Sequence, residues 1–325
     1  MKEKFKKIFK ALNSVDWKKI LSEILEHLLE FFKILNRLYE IFKSNIINIV
    51  LFSIYFIMTW NLLDGSDKSF WITVFIYFIP LSIALSPLGE LILRYFNKVR
   101  KLETTKEKEY LIPLFDEICE KTKKLYPNLN KKIQICIIDV FHINALALGK
   151  KTIAVTKGTI ETLSAEELKG FIAHEMAHIV YYHTQAILFI IIAEKIFNVF
   201  INILKAILKV FENMSPKKWY FKIIIGAIKL FLKLSLKAIL LIMQITNSLF
   251  SLNSRLNEYR ADKFAYEMGY GRNLVSALYV LESSYTSSEP NITNKLKDNH
   301  PILPKRIGRL EKMIDSEETE REERD

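Results

Sequence analysis

Two nearly uncharged apolar runs, Ile46 to Leu63 and Phe70 to Leu93, constrain this chain more than any other feature. A helix rises 1.5 Å per residue, so each run is long enough to cross the ~30 Å hydrocarbon layer of a bilayer. The connection Asp64-Gly-Ser-Asp-Lys-Ser69 is short and polar, so the pair reads as a transmembrane hairpin. Lysines crowd the segment before it, and Arg94, Lys98, Arg100 and Lys101 follow it. Cytoplasmic flanks gather Lys and Arg, so both ends are expected in the cytoplasm and the short loop outside. The expected location is the cell (inner or plasma) membrane, multi-pass, with the N-terminus and the globular part cytoplasmic.

Composition agrees. Hydrophobic residues make up 50% of the 325, and Lys plus Arg number 47 against 36 Asp plus Glu, a net charge of +11. Such an excess suits nucleic acid or an anionic membrane surface. The lysines sit beside apolar runs and no nucleic-acid module is recognisable, so the lipid bilayer is the expected partner and nucleic acid is not. Cys119 and Cys136 form no CxxC pair, which argues against a disulfide framework or a cysteine-based zinc site. The charged N-terminus shows no small-residue cleavage site, so no signal peptide is expected.

Hydropathy divides the chain into six parts. Residues 1–44 form a basic amphipathic segment with Phe5, Ile8, Phe9 and Leu12 at helical spacing. The first hairpin occupies 45–95. A globular part begins at 96–184, with a charged helix from Glu103 to Lys124, a strand from Ile133 to Ile138, and two strands, Ala145 to Leu148 and Thr152 to Val155, around Gly149. A second hydrophobic hairpin, transmembrane or partly interfacial, spans 185–252 and carries Glu194, Lys195, Lys205 and Lys209. The globular part resumes at 253–314 with a helix around Glu258 to Met268. The acidic tail 315–325 has no apolar residue and is expected to be disordered.

Leu163-Ser-Ala-Glu-Glu167 opens a helix as a capping box, with Ser164 as N-cap and Glu167 reaching back. That helix carries His174-Glu175-Met176-Ala177-His178. Four residues amount to just over one turn, so both imidazoles project from one face and can bind one ion, with zinc favoured. Glu175 is placed beside the first histidine, where its carboxylate can accept a proton from a metal-activated water.

A catalytic zinc needs a third protein ligand and an open position. His183 is nearest but lies half a turn from His174 on the same helix, and reads as a packing or surface histidine. The metzincin extension would need glycine at Tyr181 and histidine at Thr184, which excludes that class. A later glutamate remains, and Glu258-Tyr-Arg-Ala-Asp262 offers one, with Asp262 one turn on and able to hydrogen-bond a ligand imidazole. Acidic pairs at this spacing are equally common on solvated helices. Asn144, Ala145, Leu146 and Ala147 suit a strand whose free edge pairs with an extended substrate backbone.

Asn144-Ala-Leu-Ala-Leu-Gly149, Leu163 to His178, Arg255 to Asp262, and His300-Pro301 followed by Arg306-Ile-Gly-Arg-Leu310 occur in that order. This set resembles the HtpX family of membrane metalloproteases, relatives of the CAAX prenyl endoproteases, over roughly Ile46 to Met313. The resemblance implies one Zn2+ per chain, held by His174, His178 and Glu258, with Glu175 as the base. It implies further that Asp262 supports a ligand imidazole and that His300 and Arg306 lie near the cleft, His300 being placed to stabilise an oxyanion. The chain departs from the family in a longer N-terminal segment and a lysine-rich second hairpin.

The expected fold class is α+β: a mostly helical integral-membrane protein with a zincin-type catalytic domain, the metal helix plus a small sheet, and two hydrophobic hairpins. The expected activity is zinc-dependent endopeptidase action on peptide or unfolded membrane-protein substrates, in membrane-protein quality control. The rivals are a catalytically silent zinc-dependent scaffold and a CAAX-type protease of prenylated peptides, which has more spans than this chain shows. A transporter or assembly factor with an accidental metal motif is a further alternative. If Ile223 to Asp262, extended back to Lys222, is one helix, then Lys222, Lys229, Lys233, Lys237, Gln244, Ser251, Arg255, Glu258 and Asp262 form one stripe, expected to line a hydrated groove. The alternatives are lysines snorkelling from an interfacial helix or a kink that breaks the stripe.

Overall fold

The computed structural model describes residues 45–127, 132–286 and 303–322, with isolated positions 39, 41, 43 and 129. The basic segment 1–44 (apart from three positions), His300 and residues 323–325 lie outside the described residues. The fold is α+β and mostly helical, with one small mixed sheet.

Helices α1 (Ile46–Leu62) and α2 (Asp67–Leu85) form the first hairpin. Ser66 caps α2, its Oγ accepting the Ser69 N–H. Between the two helices, the Thr59 and Tyr77 hydroxyls meet at 2.8 Å. The Phe52 and Tyr77 rings pack edge-on at 5.3 Å. The apolar run expected to continue to Leu93 instead breaks at Ser86. Pro87 disfavours helical backbone in the residue before it, and Ser86 is extended (φ −81°, ψ 168°). Its Oγ accepts the Gly89 N–H and opens α3 (Pro87–Phe96). A Cβ at Gly89 would run into the carbonyls of Ile83 and Ala84, so glycine is what lets α3 fold sharply back on α2.

Strand β1 (Val99–Arg100) leads into α4 (Thr105–Leu125), which has its own capping box from Thr104 and Glu107. Strands β2 (Gln134–Ile138), β3 (Ala145–Leu148) and β4 (Thr152–Thr156) complete a sheet of order β1-β2-β4-β3. β2 and β4 are parallel, whereas β3 is antiparallel to β4 with Ala145 opposite Val155. β3 is therefore an outer strand. Short α5 (Lys157–Thr162) precedes α6 (Ala165–Val180), and Ser164 and Glu167 form the expected capping box. One sheet face, with Ile135, Ile137, Ile153 and Val155, packs with Leu111, Phe115 and Ile118 of α4 and Leu168 and Ile172 of α6.

Helix α7 (His183–Asn213) leaves this core, and α8 (Trp219–Ala265) returns to it as one 47-residue helix. The helix expected around Glu258 is the end of α8. A π-helical turn (Tyr266–Tyr270), α9 (Gly271–Thr286) and α10 (Leu303–Glu322) close the core. Ala261 and Phe264 of α8, Leu274 and Leu278 of α9, and Leu310 of α10 are buried in the same core as α6. α2 and α7 are long and apolar enough to cross a membrane, and α1 is a shorter apolar helix.

The tail was expected to be disordered from 315, but α10 continues to Glu322. Its acidic residues find partners that composition does not reveal: Tyr266 donates to Glu317 at 2.6 Å, and Arg272 pairs with Glu318.

Two hydrogen bonds fix how α8 lies against α1. Asn253 Nδ2 donates to Asn48 Oδ1 at 2.8 Å, and the Tyr55 and Thr246 hydroxyls meet at 2.9 Å. The partners are seven residues apart on each helix, so the two run antiparallel. Continuing that register puts Lys237 level with the loop after α1, and Lys233 and Lys229 beyond it. These lysines therefore stand past the end of the first hairpin rather than within its apolar length. Lys233 pairs with Glu212 at 2.8 Å.

Gly170 on α6 has no room for a side chain, because a Cβ would press on the backbone of Asn273 and Leu274 in α9. Gly170→Ala should destabilise the globular part by about 1–3 kcal/mol through overpacking. A thermal unfolding midpoint in detergent unchanged from the parent would contradict this packing.

Candidate metal centre

The buried start of the site is α6. His174 is 2% exposed and Glu175 8%, so both are placed by the core and not by solvent. One turn separates His174 from His178, and their Nε2 atoms lie 3.3 Å apart. The end of α8 brings Glu258 against both, Oε2 at 3.4 Å from His174 Nε2 and Oε1 at 3.6 Å from His178 Nε2. His174, Glu175 and His178 each offer a ligand atom within 4.8 Å of the others. Two imidazoles and a carboxylate converging on one point are the donor set that zinc favours.

Around this point the charges are confined. Asp262, one turn beyond Glu258, takes the Nδ1–H of His174 at 2.9 Å. Arg306 of α10 forks onto Asp262, with Nη2 at 2.6 Å and Nε at 2.9 Å, and its Nη1 lies 3.2 Å from Glu258. Glu175, Glu258, Asp262 and Arg306 are all at least nine-tenths buried. Three carboxylates and one guanidinium leave a formal charge of −2 when the imidazoles are neutral. Buried charge of that size requires compensation. A divalent cation held where the imidazoles converge would supply it, so the residues present fit zinc.

The Glu175 carboxylate lies between the imidazole pair and the sheet, its Oε2 accepting the Ala147 N–H of β3 at 2.8 Å. Of the edge residues singled out in the sequence, Ala145, Leu146 and Ala147 lie in β3, and Asn144 precedes it and pairs with Thr156. The structure thus brings together His174, Glu175, His178, Glu258, Asp262, Arg306 and this strand. His300 is the one candidate outside the described residues.

The family model for peptidase family M48 matches residues 114–314, well over half of the chain and all of the residues just described. The chain belongs to peptidase family M48. It is similar to two proteins named "Protease HtpX homolog". That of Bacteroides fragilis strain YCH46 is 37% identical over 92 residues, 27% of this chain and 26% of that protein. That of Salinibacter ruber is 46% identical over 50 residues, 14% of this chain and 18% of that protein. The chain thus matches about a quarter or less of the length of these curated relatives. Among solved structures, the crystal structure of S. mikatae Ste24p aligns with a TM-score of 0.47 and 20% identity, over 90% of this chain and 66% of that one.

One residue of this M48 site was misread from sequence. His183 was placed on the same helix as His174, but the helix stops at Val180. Tyr182 adopts a left-handed conformation (φ 58°, ψ 22°), and α7 begins at His183. The break carries His183 inward, fully buried, with its Nδ1 3.0 Å from Nδ1 of His178. Among the described residues no carboxylate pairs with its ring, and its hydrogen-bonding contact is the imidazole of His178. It can therefore accept the His178 Nδ1–H and leave Nε2 of His178 facing the metal position. A tyrosine in left-handed backbone has no sequence signal, since such positions favour Gly or Asn.

Two outcomes follow for the M48 centre. His183→Ala should weaken zinc binding by roughly 10- to 100-fold, and His183→Asn, which restores an acceptor, should recover part of it. Equal zinc affinity in parent and His183→Ala would remove this role. The second concerns pH. Burial and Arg306 push His174 down, but Asp262 and Glu258 outweigh them and hold it up at about 9. Without metal the ring is then protonated at neutral pH, and zinc must displace that proton. Apparent affinity should rise roughly tenfold per pH unit up to about pH 9 and level off above it. A flat profile between pH 7 and 9, measured by competition with a zinc chelator, would contradict the raised value.

Proposed function

We propose that this chain is a zinc-dependent membrane endopeptidase that hydrolyses peptide bonds in unfolded stretches of membrane proteins. The observation that carries the reading is the buried cluster of charge −2 with two imidazoles and a carboxylate converging beside an open-edged strand. His174, His178 and Glu258 would hold the ion. Bound there, zinc supplies Lewis acidity, which lowers the pKa of a water and polarises a carbonyl.

The remaining chemistry belongs to the chain. Thr156 N–H donates to Asn144 O, so alternate residues of β3 point their main-chain groups at β4, and Ala145 and Ala147 point theirs outward. An extended substrate can pair with Ala145, which sets its scissile bond along the strand toward Glu175. The Ala147 N–H keeps the Glu175 carboxylate at the strand edge, where it can take a proton from water and return it to the leaving amine. Asp262 orients His174, and Arg306 offsets the carboxylates while keeping its own charge. His300 remains the candidate oxyanion donor.

The catalytic domain is taken as 96–184 plus 253–314, interrupted by the hairpin 185–252, and the basic flanks support a cytoplasmic orientation for it. Membrane-protein quality control suits an edge strand that reads backbone more than side chains.

Glu175→Gln should keep zinc but lose cleavage of a denatured model substrate by ~10²-fold or more, because an amide cannot accept the proton. Near-normal cleavage by the metal-loaded variant would favour a zinc-dependent scaffold instead. For the third ligand, Glu258→Ala should lose far more zinc than Glu267→Ala, whose exposed carboxylate lies near Lys263. Equal zinc content in the two variants would exclude Glu258.

A further inference from the structure

The candidate centre stands at a fixed height above the apolar helices. The α1–α8 register set by Asn48–Asn253 and Tyr55–Thr246 puts Ile46, the first residue of α1, level with Arg255. Glu258 is three residues farther along α8, about 4.5 Å past the end of α1, and Asp262 is about 10 Å past it. The edge strand is held at the same height from the other side. Lys150, in the turn after β3, donates from Nζ to the carbonyl of Leu85, the last residue of α2. Its N–H and the Thr152 hydroxyl both bond to Glu90 of α3, the latter at 2.6 Å. Thr184, in the first turn of α7, donates to Gly149 O at 2.8 Å.

Helix α3 shows where the bilayer surface lies. Leu88, Leu91, Ile92, Tyr95 and Phe96 recur at i, i+3, i+4, i+7 and i+8, and all are exposed, Tyr95 and Phe96 by 79% and 77%. Gly89 borders that face against the end of α2, and Glu90, on the opposite face, turns to the β3–β4 turn. Lys98 and Lys101 follow. A short helix with an apolar face, aromatic residues at its end and lysines after it suits the boundary between headgroups and acyl chains. It leaves the end of α2 through a sharp elbow, so this face continues the surface at which α2 would leave the hydrocarbon.

We propose that the cleft opens at the bilayer surface, with α3 seated in the headgroup layer, and that the enzyme selects bonds within about five residues of the end of a substrate's transmembrane helix. Extended chain covers roughly 3.3 Å per residue, so the height of the centre corresponds to a few residues beyond the hydrocarbon edge. This rests on the endopeptidase reading above.

The test uses the full chain, loaded with zinc and reconstituted in vesicles. The substrates carry one apolar helix, a proline-rich spacer of about 0, 4, 8 or 12 residues at ~3.1 Å each, and one identical unstructured cleavable segment. The same segment without an anchor is the control. Cleavage should be rapid at the two short spacers and fall more than tenfold at the longest. The double variant Leu91→Glu, Tyr95→Glu should lose that preference while cutting the unanchored segment at the parent rate. Equal rates at all spacers in the parent chain would overturn the proposal, and an unchanged preference in the variant would overturn the part given to α3. No cleavage of any substrate, the unanchored segment included, would overturn the endopeptidase reading and this inference with it.

Discussion

The contact between Arg306 and Asp262 is the one on which the candidate centre depends. Three carboxylates drawn into a site this dry repel one another and lose their hydration, and the buried guanidinium of Arg306 offsets them from within. Arg306 reaches Asp262 with two nitrogens and Glu258 with a third. A lysine would offer one point charge and could not hold both acids in a planar fork. With both imidazoles neutral the site then carries a formal charge of −2. That charge explains why His174 is drawn toward protonation when no ion is there, and why the same residues that destabilise an empty site favour a divalent ion.

Each helix of the globular part contributes to that centre for a local reason. Ser164 and Glu167 start α6 so that His174 and His178 fall on its inner face. The left-handed Tyr182 ends it, frees α7 to leave in a new direction, and places His183 behind His178. The two candidate ligand histidines are therefore backed differently: His174 by a carboxylate with a guanidinium behind it, His178 by the imidazole of His183. A carboxylate raises the basicity of the ring it holds more than an imidazole does.

Much of this was legible in the sequence because the signals are short-range. The capping box, the spacing of His174 and His178, the β3–β4 pair around Gly149 and the apolar runs all depend on residues within a turn or two of one another. The elements misjudged depend on something else. The span ending at Leu85 was overrun because hydropathy stays high through Leu93, while the backbone is decided by Ser86-Pro87. The acidic tail reads as disordered from its composition because its partners Tyr266 and Arg272 lie some 50 residues away. His183 was misplaced because a helix was assumed to continue where a tyrosine takes left-handed backbone. Arg306 could be noticed from a resemblance, but its fork onto Asp262 closes a separation of 44 residues that no periodicity encodes.

Helix register is the remaining constraint. α8 supplies Glu258 and Asp262 from one end of a 47-residue helix whose exposed surface is largely apolar. Apolar helix faces pack nearly as well after sliding by one turn, and such a slide would carry Glu258 about 5.4 Å from the imidazoles. The buried Asn48–Asn253 bond and the Tyr55–Thr246 bond resist it, because each slipped arrangement strands amide or hydroxyl groups in an apolar seam. Polar residues in that seam add specificity more than stability. Their position, within two turns of Glu258 at the nearer end, puts the strongest control of register next to the residue that needs it most.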